Sequence, residues 1–466
     1  MSKENDKPRS LAKGSFIYGI GNIGTLVINF FLVPLYTFYL SNEELGYFDL
    51  VASGLILMAP VFFGHIELAV VRWVLANKNT KNVTDVVSNA LVVFLAGLCL
   101  FTLVFGLVNA FSNVTLAKYV FVYLISNFFY IIVKQVIRSV FSSTHYVLTE
   151  LSYVLMVLLC SIFFVGNYGL KAIFLSYGSA SIVLLVYVLA MGITKYISFN
   201  TMKMTITKEL LGYSFPLVLN AISLWMNNQS SKYIIASFLT LSANGIYAIA
   251  FKIAYVIQIL NRIFYFSLQD KMFAVYGKAE FKDFFSKTFN TYSGLLFSLL
   301  YLLIAVQKVL LPLIIDTSFL EATRYIPILA LGVVFMSLSS VLGIIYQCEK
   351  KNMHAFKTSL VSGILIVFMG FVLIPDYGLY GAALVFMIGN FIWLLYRYID
   401  IQRYTVVKVK MLFFLMYIAT AFVLFLITNN EGIWYIVLGI VVAVSASVLF
   451  NRELLRTKLS AMRKFF

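Results

Sequence analysis

Asn220-Ala-Ile-Ser223-Leu-Trp-Met-Asn227-Asn228-Gln-Ser-Ser231-Lys232 is the most polar run inside a chain otherwise written for lipid. On a helix, Asn220, Ser223, Asn227 and Ser231 recur at spacings of three and four and so share one face, with Asn228 and Lys232 along its edge. The apolar segment around them, 209–239, exceeds the roughly 20 residues that a helix needs to cross a bilayer core of about 30 Å. After the turn Leu241-Ser-Ala-Asn-Gly245, the next apolar segment sets Lys252, Tyr255, Gln258 and Arg262 within an arc of roughly 120°. Amides and three cations at membrane depth imply spans packed around a polar interior.

Composition agrees with that reading. Of 466 residues, 62% are hydrophobic and 12% charged, and the mean hydropathy is +0.94, whereas soluble domains carry about 25% charged residues. The polar start Met1 to Ser10 is followed by an apolar run to Leu40, longer than the ~7–15 residues of a signal-peptide core, and it reads as a retained first span. Fourteen spans are predicted, near 11–40, 45–70, 86–111, 116–142, 147–167, 169–195, 209–239, 243–270, 285–309, 324–347, 356–375, 379–402, 409–428 and 432–451. Cys99, Cys160 and Cys348 show neither disulfide nor metal-ligand spacing, and no cofactor is expected.

The net charge of +16 distributes by the positive-inside rule and needs no nucleic-acid partner. Of the 35 bases, Lys118, Lys171, Lys308 and Arg324 fall on outer segments and Lys232, Lys252 and Arg262 inside spans. The other 28 fall on one side when the N-terminus is placed in the cytoplasm. That asymmetry predicts two cytoplasmic termini and an even number of spans.

Two further spans carry polar stripes. In the first, Ser15, Tyr18, Asn22, Thr25, Asn29 and Tyr36 lie within about 80° of one another. Two asparagines alone would serve as interhelical links worth about 0.6 kcal/mol each, and six polar positions exceed that need. In the fourth, Tyr123, Asn127, Tyr130, Lys134 and Arg138 fall on one face; the two bases could also snorkel to the cytoplasmic interface. His65 and Glu67 read as interfacial, Glu67 pairing with Arg72. Asp49 and Glu67 are the acids nearest in character for neutralising the deep bases.

An internal repeat is visible. Leu40-Ser-Asn-Glu-Glu-Leu-Gly-Tyr47 and Leu241-Ser-Ala-Asn-Gly-Ile-Tyr247 each follow an Asn-bearing span, turn outside and open the next span. Six spans separate them, an even number, so the halves should be parallel repeats about an axis normal to the membrane. The expected division is a six-helix bundle over 1–200, a second over 201–405 and an appended two-helix hairpin with a cytoplasmic tail over 406–466. The fold class is all-α membrane protein, two six-helix bundles around a central cavity. A cationic, amide-rich lumen suits a phosphate or pyrophosphate bearing hydroxyl-rich groups.

Those stretches, Leu40 to Asp49 and Tyr213 to Tyr255, resemble the polysaccharide flippases of the multidrug/oligosaccharidyl-lipid/polysaccharide exporter superfamily. Where many such proteins carry an Asp-Arg pair in the seventh span, this sequence has Ser231-Lys232-Tyr-Ile-Ile235; the base is kept in kind and the acid is missing. The resemblance implies a non-enzymatic, monomeric alternating-access carrier for a polyprenyl-pyrophosphate-linked oligosaccharide. It also implies the bacterial cytoplasmic membrane, contact with membrane lipid, and a polysaccharide polymerase and chain-length proteins as partners. On this reading Lys252, Lys232, Lys134, Arg138 and Arg262 attract the pyrophosphate, while Asn22, Asn29, Asn127, Asn220, Asn227 and Asn228 face the sugar. A multidrug antiporter would want buried acids. A polymerase would want a long outer loop and an acyltransferase a deep histidine, and neither is present in the sequence.

Overall fold

The computed structural model describes residues 21, 24, 25, 27–77, 79–430 and 432–452. Among them the chain is helical throughout, without strands: α1 (Val27–Tyr39), α2 (Asn42–Phe63), α3 (Ile66–Ala76), α4 (Thr80–Ser112), α5 (Ala117–Val140), α6 (Ser143–Tyr168), α7 (Leu170–Ala190), α8 (Met204–Phe238), α9 (Leu241–Ala254), α10 (Val256–Val275), α11 (Phe281–Ile314), α12 (Ile326–Cys348), α13 (Asn352–Ile401), α14 (Met411–Asn429) and α15 (Ile433–Phe450). Ten of these are long and apolar enough to cross a membrane. The predicted spans from the second on each coincide with a helix or a broken pair, two of them merging in α13 across Gly378, while the start of the first, 11–40, lies outside the described residues.

Side-chain caps fix the starts of two helices. Ser41 accepts from the Glu44 amide at 3.2 Å while Glu44 Oε2 accepts from the Ser41 amide at 3.1 Å, a reciprocal capping box opening α2. Thr240 accepts from the Ala243 amide at 3.0 Å and opens α9. The equivalent caps are therefore Ser41 and Thr240, not Ser41 and Ser242; with that register Gly46 meets Gly245.

Both spans that follow these caps are broken. Gly64 and His65 take left-handed dihedrals (φ 60° and 51°) between α2 and α3. Tyr255 interrupts the helix between α9 and α10. Neither break lies at a proline: Pro60, Pro216, Pro312 and Pro375 all sit inside helices.

The chain divides within α8 into two compact units, Met1–Ile222 and Ser223–Phe466. The first half of α8 is tied into the first unit: Ser214 donates to the His65 carbonyl at 3.2 Å, and the Arg72 guanidinium lies 4.3 Å from the Tyr213 ring. The helix that carries this division, α8, runs unbroken from Met204 to Phe238. In the first unit a ring cluster of Phe63, Phe101 and Phe128 (4.8 and 4.9 Å) joins α2, α4 and α5. In the second, α12 is the central helix, with 83% of its apolar window buried against 17% for α15. A side chain at Gly343 of α12 would stand 2.8 Å from the Arg397 guanidinium, so the arginine needs that glycine.

One device occurs once in each unit. In α4, Asn89 donates to the Thr201 carbonyl (3.0 Å) and accepts from the Lys203 amide (2.8 Å). In α11, Asn290 donates to the Lys408 carbonyl (2.8 Å) and accepts from the Lys410 amide (2.8 Å). Each amide also bonds the carbonyl four residues back at 2.7 Å. A neighbouring serine adds a bond to the same segment, Ser88 accepting from the Ser198 amide and Ser286 from the Lys408 amide. An irregular segment with no helical partners for its backbone is satisfied in both cases by one asparagine.

Candidate functional site

In the first unit the fourth-span stripe lies on α5. Asn127 is buried and donates to the Tyr123 carbonyl of its own helix at 2.8 Å. Lys134 Nζ lies 3.3 Å from Glu150 Oε1, a carboxylate on α6 that also accepts from the Tyr146 hydroxyl at 2.9 Å. The ammonium sits 4.9 Å from the Tyr130 ring, which stacks on Tyr153 at 3.9 Å, and Arg138 lies 5.9 Å from the Tyr146 ring. Glu150, at 6% exposure, is the acid that meets Lys134. Asp49 is buried, and Glu67 bonds His65 Nδ1 at 2.6 Å, with Arg72 against the Tyr213 and Trp73 rings.

The amides read from sequence separate into different environments. Asn22 lies outside the described residues. Asn29 is exposed on α1, Tyr36 on the same helix is buried, and Asn220 on α8 is half-buried. Glu150 was legible only as an acid entering an apolar span, four residues after Tyr146; nothing along the chain points from it to Lys134.

In the second unit the polar run of α8 splits by partner. Asn227, 1% exposed, donates to the Ser223 and Ser359 carbonyls at 2.7 and 2.8 Å and accepts from the Ser362 hydroxyl at 2.7 Å. Its hydrogen-bonding capacity is used in joining α8 to α13. Asn228 is half-buried; its amide nitrogen bonds the Leu224 carbonyl and its Oδ1 has no partner among the described residues. Lys232 is 6% exposed, with its ammonium 5.3 Å from the Phe251 ring, while Lys252 is half-buried.

Of the expected arc of Lys252, Tyr255, Gln258 and Arg262, the first lies on α9 and the last two on α10, with Tyr255 between them. Gln258 accepts from the Ser337 hydroxyl (2.6 Å) and from Asn261 (2.8 Å), inside a buried network that Tyr292 completes. Arg262 is exposed. Of the three intramembrane cations of this unit, Lys232 is the most withdrawn, and a buried ammonium against an aromatic face is a strong electrostatic landmark for an anion.

A second buried cation serves packing. Arg397 donates to Thr358 Oγ1 (3.0 Å) and to the Ser339 and Ala355 carbonyls (2.9 and 3.2 Å), and stacks at 4.6 Å on Trp393. Three acceptors and a ring hold it where α12 meets α13. Nearby Asp400 accepts from Tyr346 (2.7 Å) and faces His354 (3.2 Å) and Arg403 (3.6 Å). No group of three potential metal ligands occurs among the described residues.

No protein-family model and no curated sequence matches the chain. Solved structures do. A lipid II flippase, MurJ, in an inward closed conformation aligns with a TM-score of 0.73 over 96% of this chain and all of its own, at 15% identity. The fold is that of the multidrug/oligosaccharidyl-lipid/polysaccharide exporters. A multidrug-resistance MATE transporter of that superfamily, in an inward-facing conformation, aligns with a TM-score of 0.64 over 81% of this chain and 93% of its own, at 13% identity. These two structures share the all-helical scaffold with this chain over 96% and 81% of its length.

Proposed function

We propose that the chain is a flippase. It carries a polyprenyl-pyrophosphate-linked oligosaccharide from the inner to the outer leaflet of the bacterial cytoplasmic membrane by alternating access, for assembly of a surface polysaccharide. The supporting observation is Lys232, a buried ammonium on the polar run of α8, in a fold shared over nearly its whole length with a lipid II flippase. Lys252 on α9 is the second pyrophosphate-attracting cation, and the half-buried Asn220 and Asn228 are the amides available to sugar hydroxyls. The proposal keeps 1–200 and 201–405 as the two repeated halves, 406–466 as an appended hairpin and both termini in the cytoplasm. With an inside-negative potential, outward movement of the anion is favoured by about 2.3 kcal/mol per charge per 100 mV.

Charge-assisted hydrogen bonds contribute about 1.5–3 kcal/mol, so Lys232→Ala should cut flipping about tenfold or more. In cells it should leave the lipid-linked unit in the inner leaflet and deplete surface polysaccharide at unchanged protein abundance. Surface polysaccharide at the normal level in a Lys232→Ala, Lys252→Ala double variant would overturn the assignment.

A multidrug antiporter is the second reading, favoured by the buried carboxylates Asp49 and Glu150 of the first unit and the likeness to a MATE transporter. On that reading Glu150→Gln raises drug sensitivity, whereas surface polysaccharide is untouched by Lys232→Ala.

A further inference from the structure

The segment pinned by Asn290 carries a feature that its counterpart lacks. Beside it lies a cleft of about 630 Å³, lined by Lys287 of α11, Lys408 and Lys410 of the pinned segment, and Arg452 just past α15. No acid lines it. Phe413 and Leu449, both exposed apolar side chains, form its flank, and the Lys410 ammonium lies 5.6 Å from the Phe413 ring. The backbone positions of Lys408 and Lys410 are fixed, because Asn290 and Ser286 bond the amides of both and the Lys408 carbonyl.

The first unit supplies the control. Its cleft beside Asn89, about 610 Å³, has one cation, Lys203, and apolar walls including Val92, Leu100 and Leu211. The clamp equates Lys203 with Lys410 and Thr201 with Lys408, and three residues before each asparagine stand Val86 and Lys287. Holding the segment therefore does not require the extra charge. Two of the three equivalent positions on the first clamp, Val86 and Thr201, are neutral.

We propose that this cleft binds the head group of an anionic phospholipid. Two or more cations facing one concavity suit a phosphodiester, and basic pockets between spanning helices bind such head groups. The exposed Phe413 and Leu449 lie where acyl chains leave the head group. A free anion would use the cations and leave the apolar flank idle.

The test uses the purified full chain, stripped of lipid in detergent and then given phosphatidylglycerol, phosphatidylcholine or inorganic phosphate. Phosphatidylglycerol should raise the thermal midpoint and persist as an adduct in native mass spectrometry; the other two should not. Near an anionic lipid each lysine is worth about a factor of five in binding, so Lys287→Gln with Lys408→Gln should weaken retention about tenfold or more, and Lys287→Arg with Lys408→Arg should keep it. Equal stabilisation by inorganic phosphate would make this a free-anion site, and equal retention of phosphatidylcholine would make it acyl-chain adhesion; either overturns the proposal. So does unchanged retention in the glutamine variant. If that variant fails to fold, photoactivatable phosphatidylglycerol in vesicles decides on the wild type: cross-links within 286–291, 408–417 or 449–452 support the site, and cross-links elsewhere overturn it.

Discussion

Asn227 and Lys232 stand five positions apart on α8 and have opposite consequences when removed. Asn227→Leu loses bonds to Ser359 and Ser362 on α13; interhelical bonds in membranes average about 0.6 kcal/mol and an orphaned buried partner costs about 1–3 kcal/mol. The expected loss is about 2 kcal/mol, read as a lowered thermal midpoint, with any transport defect explained by reduced abundance. Lys232→Ala should instead lower transport per molecule of protein by more than any change in midpoint or abundance explains. Lys134 and Glu150 make a different test. Removing one partner of a buried pair costs about 3–5 kcal/mol and replacing both with apolar groups far less. With Lys134 about a fifth exposed, Glu150→Met should cost about 2 kcal/mol and the Lys134→Met, Glu150→Met double variant less than that single one. Here the sequence is legible only to a degree. Periodicity places Asn220, Asn227 and Asn228 toward a polar surface, but a face that meets a neighbouring helix and a face that meets a substrate have the same spacing. Asn227 belongs to the first kind because Ser359 and Ser362, more than 130 residues away, happen to oppose it.

At the scale of elements, hydropathy located the spans of the described residues from the second on, because burial in lipid demands about 20 apolar residues wherever it occurs. It missed the breaks at Gly64 and Tyr255, since a dihedral change of one or two residues alters no average. The break at Gly64 is testable. An alanine there would have a positive φ, costing about 1–2 kcal/mol, and would set its Cβ 2.9 Å from Leu211, so Gly64→Ala should lower the midpoint and loosen α3 in hydrogen exchange. Between α11 and α12, Asp316 caps the turn Thr317–Arg324 by accepting from the amide and hydroxyl of Ser318 at 2.9 and 2.7 Å. Those bonds favour the carboxylate and hold its pKa below the ordinary value. A depressed pKa means that the capping contribution is complete above the ordinary carboxylate range and is lost as pH falls through the lowered value. Exchange of the Ser318 amide, corrected for its intrinsic rate, should rise over that acidic interval in the wild type and be flat with pH in Asp316→Asn.

For the whole molecule, the repeat was legible at Ser41 and Gly46, where turn chemistry is local, and invisible at Asn89 and Asn290, whose partners lie more than 110 residues downstream. Those two asparagines give the sharpest test of the duplicated plan. Asn89→Ala frees the Thr201 carbonyl, the Lys203 amide and the Thr207 hydroxyl; Asn290→Ala frees the Lys408 carbonyl and the Lys410 amide. Each should cost about 1–3 kcal/mol, with loss of exchange protection confined to 198–207 in the first variant and 405–410 in the second. The clamps share no hydrogen-bond partner, so the stability losses in the double variant should add to within about 0.5 kcal/mol. Protection lost throughout the chain from either single variant would mean that the asparagines act on global folding and not on their own segments. Phosphatidylglycerol retention should distinguish them further: Asn290→Ala releases the segment that carries Lys408 and Lys410 and weakens retention, whereas Asn89→Ala, acting on a clamp whose equivalent positions are Val86 and Thr201, leaves it unchanged.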